Sequence, residues 1–125
     1  TYDGADLHEV AGLAGVSAER VIAAHTGLRW RVQFLGFAPG FGYLVPDGDP
    51  ALSAVFDGLG RRDESRPAVP PGSVAVAAGY SAVYPRTSPG GWFLLGSTGT
   101  AMWDPEAHPP ALLQAGTIVR FTCVD

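Results

Sequence analysis

Two stretches of this 125-residue chain combine residue types suited to binding chemistry. The first, Gly36-Phe37-Ala38-Pro39-Gly40-Phe41-Gly42-Tyr43-Leu44, sets three aromatic rings among glycines. The second runs Tyr80-Ser81-Ala82-Val83-Tyr84-Pro85-Arg86-Thr87-Ser88-Pro89-Gly90-Gly91-Trp92 and mixes glycine, proline, hydroxyls and aromatics. Glycine amides without side chains around them are preorganised donors for a carboxylate or a developing oxyanion. Losing one such donor costs an enzyme roughly 2.7–4 kcal/mol of transition-state stabilisation. The rings would wall a cleft. The pattern admits a second reading equally well, in which both stretches are tight corners with rings filling the core and glycines at positive φ.

The elements that must position these corners are short. In Leu7-His8-Glu9-Val10-Ala11 the apolar residues fall at i, i+3 and i+4, Asp3 or Asp6 can cap the start, and Gly12 or Gly15 can end the helix. A second helix begins at Ser17, a good N-cap, with Glu19 at the positive end of the dipole and Val21, Ile22 and Ala24 as its apolar stripe. The pair has helix-turn-helix spacing, but a recognition helix would offer only Arg20 and His25 to DNA, so a hairpin closing one end of a β structure is the stronger expectation. From Leu28 the period becomes two, with Leu28, Trp30, Val32 and Phe34 on one buried face. Short apolar runs follow at Val74 to Ala78, Ala82 to Tyr84, Trp92 to Leu95, Ala101 to Trp103 and Thr117 to Val124, each set off by glycine or proline turns. A helical turn is expected over Ala51 to Phe56, and Arg61-Arg62-Asp63-Glu64-Ser65-Arg66-Pro67 reads as a solvated loop. Many short strands in a chain of this length predict one mostly β domain over residues 1–125, built as a closed barrel behind two short N-terminal helices.

Composition removes whole classes of function. All eight basic residues are arginines, scattered among twelve carboxylates at a formal net charge of −4, so no cationic face for nucleic acid is expected. Without lysine, neither a Walker A loop nor a Schiff base can be built from this chain. Three widely spaced histidines and one cysteine give no metal signature and no disulfide. Cys123 falls in what reads as a terminal strand with no basic neighbour, which suits a buried structural thiol better than a nucleophile. No apolar run approaches the roughly 20 residues of a membrane span. The polar, acidic start lacks the marks of a secretory signal, and a cytoplasmic protein is expected.

His25-Thr26-Gly27, the Gly36 to Leu44 stretch, Val69-Pro70-Pro71-Gly72-Ser73-Val74-Ala75, Tyr84-Pro85 and Ser88-Pro89-Gly90-Gly91-Trp92 occur in the order of one family's signatures. The chain thus resembles the family of the B-type 5-oxoprolinase subunit, allophanate hydrolase subunit 1, the matching segment of urea carboxylase, and the KipI inhibitor of a sporulation kinase. The resemblance implies a cyclophilin-like barrel, usually preceded by a small α/β domain that these residues do not include. It also implies a non-autonomous subunit of an ATP-dependent amidohydrolase. A C-type partner barrel and the A-type component of the 5-oxoprolinase complex would be the partners, with ATP bound mainly by them. In that chemistry the amide carbonyl of a small substrate is phosphorylated and then attacked by water. Carried onto this sequence, Phe37, Pro39, Gly40, Phe41, Tyr43, Tyr84, Ser88, Gly90, Gly91 and Trp92 would bind substrate. His25 would move a proton and Arg66 would hold an anion.

Each of these last two has a plainer role available: His25 can complement a helix C-terminus and Arg66 can sit on the surface. The chain departs from the family's pattern at Tyr80-Ser81-Ala82 and at Gly96-Ser97-Thr98-Gly99, which removes an amide and a guanidinium able to orient an acid. A regulatory module like the kinase inhibitor, holding a partner segment in the same cleft, is the alternative.

Overall fold

A computed structural model describes residues 1–124; residue 125, included in the expected domain, lies outside them. Two helices come first, α1 (Leu7–Ala14) and α2 (Ala18–Gly27). Gly15 ends α1 in the left-handed region, at φ 70°, with its amide on the Ala11 and Gly12 carbonyls. Ser17 caps α2 by accepting the Arg20 amide. Six strands then form one antiparallel sheet in the order β7-β4-β5-β2-β1-β8. They are β1 (Trp30–Leu35), β2 (Gly42–Pro46), β4 (Ser73–Ala77), β5 (Tyr80–Val83), β7 (Phe93–Ser97) and β8 (Ile118–Val119). Strands β3 (Arg66–Val69) and β6 (Ser88–Gly90) pair separately as a two-stranded ribbon. The expected turn over Ala51 to Phe56 is helix α3 (Pro50–Ser53) followed by a 3₁₀ turn at Ala54–Phe56.

Strands β4, β5 and β7 of the large sheet are buried on both faces, and strand alternation divides the interior into two cores. Every residue of β4 is buried. Val74 and Val76 join Trp30, Val32, Leu44, Val83, Phe93 and Leu95 beneath the helices, while Ala75 and Ala77 join Phe41, Ala82, Tyr84, Trp92 and Leu94 on the opposite face. A two-residue turn links β4 to β5 with Ala78 at φ 50° and Gly79 at φ 84°, the paired positive φ that matches hairpin twist.

The closed barrel is not what forms. The order runs from β7 to β8 without those two strands pairing, and both edges explain why. The outer edge of β7 is taken by the N-terminal segment: the Gly4, Asp6 and Ser97 amides bond to the Leu95, Leu94 and Thr1 carbonyls. A side chain at Gly4 or Gly96 would collide with this backbone, so glycine is required at both. At the other edge only Ile118 and Val119 pair, with β1. The strand expected to reach Val124 therefore stops early, and Cys123, expected to be buried, is exposed. A seam cavity of about 470 Å³ remains between Ser97–Thr100 and residues 119–124. Ala101 to Trp103 likewise forms no strand, contributing one isolated bridge from Trp103 to Ala111.

Two polar clusters lock this arrangement. Asp6 occupies the N-cap position of α1 without capping it. Its carboxylate instead accepts both guanidinium nitrogens of Arg66 at 2.7 Å each and the Leu94 amide at 2.8 Å, with Arg62 Nε at 3.6 Å. Burial pushes the Asp6 carboxyl up, but the Arg66 hydrogen bonds, the Leu94 amide and the two guanidinium charges outweigh it and hold the group below its ordinary 3.8.

The second cluster centres on His25, which is fully buried. Its ring nitrogens lie 2.6 Å from Tyr2 Oη and 2.9 Å from Ser81 Oγ, and the Ser81 hydroxyl donates to the Ala75 carbonyl. One proton placement satisfies every partner: Nε2–H donates to Ser81 Oγ and Nδ1 accepts from the Tyr2 hydroxyl. Phe121, Trp30 and Phe56 pack around the ring. With His25 buried, Arg20 is the one exposed residue of the two that a recognition helix would offer. Burial lowers its pKa to about 3, so it carries no charge to complement the helix dipole at neutral pH.

This last shift fixes an acid limb of stability. The unfolded chain takes up a proton at His25 near pH 6.5, whereas the folded chain does not until about pH 3. Stability is therefore full above pH 6.5 and falls as pH drops, by a slope approaching about 1.4 kcal/mol per pH unit. Asp6 acts only below its ordinary 3.8. Thermal melts should give a Tm that declines from pH 7 to pH 5, with a flatter decline in His25→Gln. Equal slopes in the two proteins would contradict this assignment.

Candidate functional site

The two glycine-and-aromatic corners meet on the sheet face away from the helices. They enclose a recess of about 240 Å³ lined by Phe37, Phe41, Tyr43, Tyr84, Pro89, Gly90, Gly91 and Trp92, together with Arg61 and Ser65. The floor is a set of edge-to-face and tilted rings. Phe41 lies 5.3 Å from Tyr84, 5.5 Å from Trp92 and 5.1 Å from Tyr43, and Tyr43 lies 5.7 Å from Trp92. Such pairs gain about 0.5–1.5 kcal/mol each beyond their buried area, so the floor is stiff.

One irregularity extends this aromatic face. Gln33 is the extra residue between the Val32–Leu44 and Phe34–Tyr43 pairs, a bulge that shifts the register of β1. Phe34, expected on the buried face with Trp30 and Val32, is thereby turned to the other side, 42% exposed and stacked on Tyr43 at 4.3 Å. Leu35 and Phe37 are exposed beside it. Phe37 is held at φ 69°, strained for an aromatic residue, and its ring packs edge-on against Phe41 at the mouth of the recess.

The glycines act differently in the two corners. In the first, the Gly36, Ala38 and Phe41 amides bond to the Phe41, Gly36 and Ala38 carbonyls, so the loop consumes three of its own donors. In the second, a Cβ at Gly90 would overlap the Tyr84 hydroxyl, so glycine makes room for a phenol beside the recess. Burial raises the Tyr84 pKa, which keeps its O–H available as a donor at neutral pH.

Seven of the residues carried over as substrate-binding are thus assembled here. Three are not in the lining. Pro39 is exposed on the loop, Gly40 is buried against Met102, Trp103 and Pro85, and Ser88 turns its hydroxyl toward the Arg86 carbonyl. His25 and Arg66 are also outside it: His25 lies in the helix-side core and Arg66 spends both terminal nitrogens on Asp6. Sequence reasoning missed Arg61 and Ser65, because a charged run reads as solvated. The Arg62 amide to Gly91 carbonyl bond, 2.8 Å, is what brings this run to the recess wall.

Among the described residues no group of three His, Cys, Asp or Glu side chains converges as a metal would require, and no helix is long and apolar enough to cross a membrane.

Comparison with known proteins shows the family of the chain. The family model for the carboxyltransferase domain, subdomain C and D, matches residues 1–113. The B-type 5-oxoprolinase subunit of Bacillus subtilis (strain 168) is 42% identical over 98% of this chain and 48% of its own length, and that of Escherichia coli O157:H7 is 40% identical over 94% and 51%. The chain therefore spans about half the length of these curated relatives. Among solved structures, TTHA0988 superposes with a TM-score of 0.85 at 45% identity, covering 99% of this chain and 24% of that one. PH0987 from Pyrococcus horikoshii gives 0.86 at 34%, covering 98% and 54%. The urea amidolyase of K. lactis shares the fold at 0.73 and 23% identity, over 95% of this chain and 7% of that one.

The glycine at position 90 gives a direct test of the recess wall. Gly90→Ala should force the Tyr84 ring to move, costing about 1–3 kcal/mol in urea unfolding. Gly91→Ala, whose new methyl meets the movable Ser65 hydroxyl at 3.1 Å, should cost clearly less. The reverse order would mean that the Tyr84–Gly90 contact does not shape the wall.

Proposed function

This chain belongs to the carboxyltransferase domain family, subdomain C and D, and from that membership we propose that it serves as part of a subunit of an ATP-dependent amidohydrolase of the 5-oxoprolinase type. The observation that carries the reading is the meeting of residues 37–43 and 84–92 in one recess, in a chain 42% identical to a B-type 5-oxoprolinase subunit. The rings offer an apolar seat for a small lactam or amide, and the Tyr84 hydroxyl is a neutral donor beside it. ATP is assigned to the A-type and C-type partners, since the composition of this chain, without lysine, offers no Walker A loop.

None of the residues that depart from the family's pattern lines this seat, although Tyr80 and Ala82 pack behind its rings. Tyr80 packs edge-on against Tyr43, and Ser81 serves the His25 cluster on the opposite face. Ser97, Thr98 and Gly99 line the seam cavity. The substitutions are thus compatible with an intact recess.

A regulatory role, with the recess holding a partner segment, draws support from the exposed Phe34, Leu35 and Phe37 along its rim. A pulldown separates the two: recovery of a C-type partner barrel favours the enzyme, and stable capture of a histidine kinase alone favours regulation.

Co-expression with candidate A-type and C-type partners should yield ATP-dependent opening of 5-oxoproline, and Trp92→Ala should lower that rate by at least about tenfold through loss of the aromatic seat. If the assembled complex turns over neither 5-oxoproline, allophanate nor a related amide, the proposal fails.

A further inference from the structure

Three guanidinium groups sit between residues 61 and 66, and their surroundings differ sharply. Arg66 and Arg62 both converge on the Asp6 carboxylate. Arg61 has no carboxylate within 4 Å among the described residues and lines the aromatic recess instead. It is the one formally charged residue of that lining, which contains no Asp or Glu. Its side chain is exposed, yet its backbone is tied to the recess wall because the next residue's amide donates to the Gly91 carbonyl at 2.8 Å.

Resting on the reading of the recess as the substrate seat, we propose that Arg61 is its specificity-determining residue, selecting small ligands that carry a carboxylate on a flat or apolar body. Three features lead there. The recess, at about 240 Å³, lies below the usual range for drug-sized ligands, roughly 300–1,000 Å³, and so suits a small molecule. Its rings contact an apolar or planar body but cannot neutralise charge. A guanidinium left without an acidic partner presents its planar fork to a carboxylate and forms paired, charge-assisted hydrogen bonds. The Ser65 and Tyr84 hydroxyls line the same recess and can complete the anion's hydrogen bonding.

The test uses the full chain and two probes with the same lactam ring, 5-oxoproline and 2-pyrrolidinone, which lacks the carboxylate. Calorimetric titration should find the acid bound at least about tenfold more tightly than the neutral lactam. Arg61→Gln should erase that preference while leaving 2-pyrrolidinone affinity unchanged, and Arg61→Lys should restore part of it. Because the side chain is exposed, unfolding midpoints of both variants should match the parent. Equal binding of the two probes, absence of binding to either, or a preference that survives in Arg61→Gln would overturn the assignment. Lack of turnover in the assembled complex, with the acid preference intact and lost in Arg61→Gln, would sink the proposed activity and leave Arg61's role standing.

Discussion

The carboxylate of Asp6 is the constraint on which the architecture turns. It joins three parts of the chain that are distant in sequence: the N-terminal segment that carries it, the Arg66 strand of the small ribbon, and the Leu94 amide of the sheet's edge strand. At 3% exposure, it is too buried to remain charged without such partners, and paired guanidinium nitrogens with a backbone amide meet that need. The consequence reaches the recess indirectly. Arg66 pairs with Gly90 across the ribbon, and the neighbouring Arg62 amide holds Gly91, so the wall opposite the aromatic floor is fixed through the Asp6 attachment. By drawing in Arg62 and Arg66, the same carboxylate leaves Arg61 as the cation facing the cavity.

The sheet separates two kinds of polar chemistry. On the helix side, Tyr2, His25 and Ser81 satisfy one another around a fully buried imidazole, a chain of hydrogen bonds that rigidifies the fold. On the other side, rings and hydroxyls face a space large enough for a small molecule. Ser81 and Ala82, adjacent on one strand, belong to opposite faces, which is how a single short segment can serve both.

Local patterns in the sequence carry much of this. Helix caps at Ser17 and Gly15, the alternation of β4, and the pairing of glycine with aromatic rings at residues 36–44 and 80–92 are all read from neighbours a few residues apart. What escapes such reading depends on distant partners. Asp6 looks like a helix cap, and only the approach of Arg66, 60 residues later, gives its side chain another use. The Leu28 to Phe34 alternation is unbroken in sequence, and the bulge that turns Phe34 outward arises from pairing with Tyr43. Barrel closure fails because β7 takes the N-terminal segment as its neighbour, an exchange no periodicity records. Arg61 resembles any surface arginine until the backbone places it beside the rings.

Binding of any kind at this face requires that two separate corners act as one ligand seat. Amide and indole chemical shifts, followed while the isotope-labelled chain is titrated with 5-oxoproline, report on both corners at once. Resonances of Phe37, Tyr43, Gly90, Gly91 and Trp92 should move together along one binding curve, while those of the His25 cluster stay still. Movement confined to the seam cavity at Ser97–Thr100, or to one corner alone, would show that the corners do not form a shared seat.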